Sequence, residues 1–312
     1  MFNWLKKQSG TQAVLGIDTF DDGYALAVVE PGVDGEVTVT GARWCALGDP
    51  SESANRLKRA VKAVGASGLP VVATLQLSAY TLVQLEAPKL DDDEMREAMR
   101  WRVKDLVDFP IEQAIIDVFK LPASRRPGAP ELVYVVVAKQ QEVELLGSIL
   151  REAGLRVQAI DIAEMAIRNL ALHVDKPERP RAYLHLLPSQ TIIEIADGPQ
   201  IYLSRRILQE FDADAEPGLL QAQMENLALE VQRSLDYFES QYALGPADSL
   251  SVICFDVALA EAFINIAGTF LTVPTERFRF AAMKIASGVE LGNLGRGITA
   301  VGTAFRGLRW AA

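Results

Sequence analysis

The chain has 312 residues, of which 49% are hydrophobic and 23% charged. Asp and Glu number 41 against 31 Lys and Arg, giving a formal net charge of −10. That balance excludes global disorder, a collagen-like repeat and a disulfide scaffold. It also argues against non-specific nucleic-acid binding, because phosphates repel an acidic chain. At roughly 100–200 residues per domain, the length allows about two domains or one large one.

Two cysteines, Cys45 and Cys254, each sit in an apolar stretch without ligand-like neighbours and read as buried free thiols. His173 and His185 lack the further donors a zinc site needs. The longest apolar stretch, Ala262 to Thr275, contains Asn265, Gly268 and threonines and falls short of the roughly 18 residues of a membrane span. The opening Met1-Phe2-Asn3-Trp4-Leu5-Lys6-Lys7 lacks the apolar core of a signal peptide, so the expected location is the cytoplasm.

In chain order, Ala13 to Asp18 and Tyr24 to Val29 are apolar strands around the turn Phe20-Asp21-Asp22-Gly23. Pro31 to Gly35 turns the chain into a third strand, Val37 to Thr40. Ser53 to Val64 has helical spacing, and Val71 to Leu77 is a buried strand. The same order recurs later. Ala182 to Leu187, Thr191 to Ile195 and Gln200 to Ile207 are strands separated by Pro188-Ser189-Gln190 and Asp197-Gly198-Pro199. A long helix follows with Met224, Leu227, Val231, Leu235, Phe238 and Tyr242 on one stripe, and then a strand, Ser251 to Phe255. This is an internal duplication of two αβ lobes.

Between the repeats lies an extra segment. Asp91-Asp92-Asp93-Glu94 opens a helix whose apolar face is Met95, Met99, Val103 and Leu106, and Phe109-Pro110 ends it. The strands Ile115 to Leu121 and Leu132 to Val137 follow. Then come a helix from Ala138 to Ala153 closed by Gly154, a strand from Val157 to Ile160, and a helix from Ile162 to Leu172. The expected layout is a flexible N-terminus (1–12), a first lobe (13–81 and 162–180), an inserted α+β subdomain (82–161) carried by that lobe, and a second lobe (181–312). Residues 296–312 are able to return to the first lobe.

Seven stretches stand out in order along the chain: Leu15-Gly16-Ile17-Asp18, Leu85-Glu86-Ala87-Pro88 before the acidic helix, Val135 to Lys139, Ala153-Gly154-Leu155, Ile160 to Glu164, Leu229 to Phe238, and Gly302 to Arg306. Together they resemble the PilM-like family of type IV pilus assembly proteins, within the actin-like ATPase superfamily. The resemblance implies an α/β fold: the two-lobe, duplicated ribonuclease H-like fold of actin-like ATPases, with an insertion in the first lobe. The chain also resembles the cytoplasmic GspL-like component of type II secretion.

The family fold implies ATP and Mg²⁺ held by two strand–turn–strand loops and a glycine-rich adenosine turn. Here the implied nucleotide-binding residues are Asp18, Thr19, Asp21, Gly23 and Thr191. The loops depart from the family pattern. Phe20 replaces a glycine, Asp21 and Asp22 replace small hydroxyl residues, and Ala25 replaces a lysine or threonine. His185 replaces an aspartate, Leu187-Pro188-Ser189 replaces glycines, and Phe255-Asp256-Val257-Ala258 replaces the adenosine turn. Carboxylates facing a triphosphate repel it, and proline removes a backbone donor. The expectation is therefore a pseudo-ATPase with no bound cofactor. Asp18 suits a turn-capping role better than a magnesium organiser, and His185 suits a satisfied strand histidine.

The resemblance further implies a partner, the cytoplasmic tail of a PilN-like single-span membrane protein, with the pilus platform and its motor ATPase reached indirectly. It places the tail at Tyr80, Leu85, Met99, Trp101, Arg102 and Phe109. Met99 and Phe109 also suit the insertion's own core, which is the favoured reading for them. Trp101 and Arg102 fall off the helix's core stripe and should be exposed. Two further readings stay open: a nucleotide-switched protein, and a polymer-forming relative of cell-division actin homologues.

Overall fold

The computed structural model describes residues 12–32, 36–174, 179–187, 190–211, 217–279 and 283–308. Most of the expected N-terminal segment, the tip residues Pro188 and Ser189, and the last four residues lie outside them. By compactness the chain divides into two units. The first comprises the described residues of Met1–Ala79, Gln141–Val174 and Phe280–Ala312, and the second those of Tyr80–Gln140 and Asp175–Arg279.

In the first unit, β1 (Val14–Phe20), β2 (Gly23–Pro31) and β3 (Val37–Ala46) form an antiparallel meander. Helix α1 (Ser53–Ala63) follows a turn in which the Asp49 carboxylate accepts the Ser51 N–H at 2.9 Å. Its buried face is Ser53, Leu57, Ala60 and Val61, an i, i+4, i+7, i+8 set. β4 (Pro70–Thr74) then pairs parallel with β1. Helix α3 (Gln140–Glu152) ends at Gly154, whose φ of +76° is the left-handed closure glycine supplies at little cost. β8 (Arg156–Asp161) adds to β4, and β14 (Lys284–Ile285) to β3. Helix α7 (Leu291–Arg296) leads to α8 (Ile298–Leu308), which packs on β1, β2, β4 and α4 (Ala163–Val174). The sheet order is β14-β3-β2-β1-β4-β8.

The second unit repeats the design. β9 (Arg181–Leu186), β10 (Gln190–Asp197) and β11 (Gln200–Leu208) form the meander. Helix α5 (Pro217–Tyr242) follows, β12 (Leu250–Ile253) pairs parallel with β9, and α6 (Val257–Phe270) leads to β13 (Thr275–Arg277). The sheet order is β11-β10-β9-β12-β13. Removing β14 leaves the first sheet with the same topology, third strand to fifth, which is the duplication in three dimensions. The α5 stripe is buried at every expected position, from Met224 to Tyr242.

The inserted subdomain is smaller than the sequence suggested. It is a three-stranded antiparallel sheet, in the order β5 (Tyr80–Glu86), β7 (Leu132–Lys139), β6 (Ala114–Lys120), with α2 (Asp92–Arg102) against it. Helix α3 and strand β8, placed in the insertion by sequence, serve the first unit's sheet instead. A parallel strand's partner is distant in sequence, so local pattern does not identify it. The insertion groups with the second unit rather than the first. Val133, Val135 and Val137 of β7 face α2, while Tyr134 faces β11. Covered on both faces, this strand reads as a continuous apolar run.

Candidate functional site

Three places answer to the sequence expectations, one in the first unit and two in the second. In the first unit, β1 alternates, so Val14, Gly16 and Asp18 share the face toward α8. A Cβ on Gly16 would lie 1.9 Å from the Ala300 carbonyl oxygen. A Cβ on Gly302 would lie 2.1 Å from the Ala166 carbonyl oxygen. Glycine at both positions lets α8 seat between β1 and α4. Two residues on from Gly16, the Asp18 carboxylate meets the same helix. Thr299 donates its hydroxyl to Oδ2 and Thr74 donates to Oδ1, while Thr19 donates to the Thr74 carbonyl at 2.8 Å. Asp18 is 4% exposed. Burial pushes its pKa above the usual carboxylate value, against the pull of the Thr299, Thr74 and Thr19 hydrogen bonds.

The tip of this hairpin is occupied by its own side chains. Gln76 donates to Asp21, and Arg296 pairs with Asp22 at 3.5 Å. The Arg296 guanidinium lies 4.6 Å from the Trp44 ring centroid, and Phe20 meets Trp44 edge to face at 5.6 Å. Gly23 is a packing glycine, since its Cβ would lie 2.4 Å from the Cys45 carbonyl oxygen.

The corresponding hairpin of the second unit is more apolar. Thr191 is fully buried, and its hydroxyl has no hydrogen-bond partner among the described residues. His185 is buried, and desolvation pulls its pKa down to about 4, so the imidazole is neutral. The place of the adenosine turn is taken by a helix start. Asp256 caps α6 by accepting the Leu259 N–H at 3.0 Å.

In the insertion, Met95, Met99 and Val103 pack with Ile111, Ile116 and the β7 valines. Leu106, expected on that face, is 51% exposed. The helix ends at Arg102 and a 3-10 turn over Lys104–Leu106 breaks the spacing, throwing Leu106 outward. Met99 is fully buried. Tyr80 is buried under the Arg206 guanidinium, 4.2 Å from its ring centroid. These two, placed by sequence among the partner contacts, are packing residues. Leu85 and Phe109 are half-buried against the same core, with the Lys139 ammonium 5.3 Å from the Phe109 ring centroid. Trp101 is 61% exposed, and Arg102 is exposed and donates to the Glu86 carbonyl at 2.6 Å. Leu90 and Ile115 are exposed apolar residues of the same subdomain that sequence reasoning missed. Ile115 was legible from alternation along β6.

Tyr134 was also missed. Its hydroxyl accepts the Ser204 N–H at 2.7 Å and donates to the Ser204 carbonyl at 2.8 Å, while Tyr242 donates to the Tyr202 carbonyl at 2.7 Å. These bonds cap the outer edge of β11 and blunt it against strand addition.

His173 stacks on Phe305 at 4.2 Å, and both cysteines are free thiols. Among the described residues no group of His, Cys, Asp and Glu is suited to a metal ion, and no helix is long and apolar enough to cross a membrane.

No protein-family model matches the chain, and no curated protein sequence matches it. Solved structures do. A structure of the PilM-PilN type IV pilus biogenesis complex is similar over 95% of this chain and 98% of that one, with a TM-score of 0.76 and 20% identity. The cytoplasmic domain of EpsL, an inner-membrane component of the type II secretion system of Vibrio cholerae, is similar over 91% of this chain and 93% of that one. Its TM-score is 0.51 and its identity 12%. The fold is thus the duplicated α/β fold of actin-like ATPases, in the form seen in the PilM-PilN structure.

Proposed function

We propose that the chain is a scaffold subunit of a type IV pilus assembly platform, working on the cytoplasmic side of the inner membrane. It binds the tail of a PilN-like single-span protein and does not hydrolyse ATP. The observation that carries this reading is the likeness to the PilM-PilN complex along nearly the whole of both chains. We take the mannose-sensitive haemagglutinin pilus, with this chain as an MshI-like subunit of it, as the specific form of this reading. The EpsL likeness is weaker and supports the type II secretion alternative less.

The residues present support a nucleotide-free role, since they do not fit ATP and Mg²⁺. Both Asp18 oxygens accept threonine hydroxyls and the side chain is buried, which favours a structural tie over a magnesium organiser. Asp21 and Asp22 are held by Gln76 and Arg296. Thr191 is sealed in the core, and Asp256 spends its carboxylate on a helix cap.

The partner surface proposed is the exposed part of the insertion around Trp101 and Arg102. Exposed aromatics and arginines are the usual anchors of such contacts. The test is titration of a PilN-like tail peptide into wild type and into the Trp101→Ala and Arg102→Glu variants. Each variant should keep its thermal midpoint and lose at least about tenfold in affinity, the lower end of anchor-residue effects. Folded variants that bind as well as wild type would remove this surface from the account.

A further inference from the structure

Helix α1 carries charge that the pilus reading does not use. Its outer stripe is Asn55, Lys58, Arg59 and Lys62, at i, i+3, i+4 and i+7, all exposed. The helix also contains Arg56 and holds no Asp or Glu, in a chain where acidic residues outnumber basic ones. Arg56 is partly neutralised by Glu52 at 3.5 Å. Lys58, Arg59 and Lys62, with the exposed Arg43 of β3, have no carboxylate within ion-pair distance among the described residues. Strand β3 packs against α1, and a Cβ on its Gly41 would lie 3.2 Å from Val64 just past that helix; Arg43, two residues on, shares that face of the strand. Arg156 extends the patch: it is exposed, and it donates at 3.2 Å to the Gly68 carbonyl in the loop after α1.

From this patch we infer that the α1 face docks on an anionic phospholipid surface. The stripe is charged, and no exposed large apolar side chain of the described residues lies on it. A protein partner would be expected to need an aromatic or apolar anchor in a pocket. A lipid surface asks only for cations near its phosphates and gains roughly fivefold in binding for each Lys or Arg brought there. The net charge of −10 does not cancel the effect. Salt screens charges beyond about 10 Å, so the patch dominates once α1 faces the bilayer. Neither the PilN-like tail nor the nucleotide reading enters this inference.

The test is sedimentation of the full chain with vesicles of phosphatidylcholine alone and of phosphatidylcholine mixed with phosphatidylglycerol, at low and high salt. Wild type should bind only the anionic vesicles and release them at high salt. Replacing Lys58, Arg59 and Lys62 together by alanine should weaken that binding on the order of a hundredfold, from three cations at roughly fivefold each. A control replacing the exposed Arg125, Arg126 and Arg279 by alanine should bind like wild type. Absence of wild-type binding, or equal binding by the α1 variant, overturns the inference. Binding of a polyglutamate peptide without binding of the anionic vesicles assigns the stripe to an acidic protein and overturns it as well.

Discussion

Asp18 shows how a single buried carboxylate can join several elements. At the end of β1 its two oxygens receive hydroxyls from β4 and α8, tying three elements together. Asp18→Ala strands two buried hydroxyls and should cost about 2–3 kcal/mol of unfolding free energy, whereas Asp18→Asn, which still accepts one hydroxyl, should cost less. Denaturant unfolding measures both. If Asp18→Ala is as stable as wild type, the carboxylate is not a structural tie. His185 supplies a pH test. Its folded pKa of about 4 lies below the ordinary 6.5. Between those values the unfolded chain binds more protons than the folded one, so stability falls as pH falls through that window. The loss attributable to His185 is on the order of 3 kcal/mol, and a His185→Leu variant should show a correspondingly flatter profile. Asp18 and His185 were legible in the sequence as departures from, or survivals of, a motif. What they touch was not, because Thr74 and Thr299 lie 56 and 281 positions from Asp18.

At the scale of elements, the two meanders were legible because turn residues punctuate alternating apolar runs, and the α5 stripe because its period is helical. Assignment of strands to sheets was less so. β8 looked like part of the insertion until its pairing with β4 appeared, and α2 ended a turn earlier than the Leu106 spacing implied. The seat of α8 depends on Gly16 and Gly302. Gly16→Ala would push a methyl into the Ala300 carbonyl, where backbone cannot yield as a side chain can. A loss of at least about 3 kcal/mol is expected, read as a lowered midpoint in thermal unfolding. A midpoint equal to wild type would show that α8 can shift at little cost. Tyr134→Phe removes the hydroxyl that joins β7 to the β11 edge. It should cost about 1–3 kcal/mol, the penalty of leaving the buried Ser204 backbone groups unpaired.

For the whole molecule, the duplicated sheets form an actin-like fold. On the reading proposed above, the side chains of its strand–turn–strand loops hold that fold together instead of holding nucleotide. A scaffold of the proposed kind should bind a PilN-like tail without regard to nucleotide. An active relative would instead couple the two, since a ligand shifts an equilibrium only through different affinities for its states. The decisive measurement is titration calorimetry of a PilN-like tail peptide into the full chain, with and without millimolar ATP and Mg²⁺. A one-site isotherm with the same affinity in both is expected. An affinity that moves severalfold with nucleotide would contradict it and make the chain a nucleotide switch.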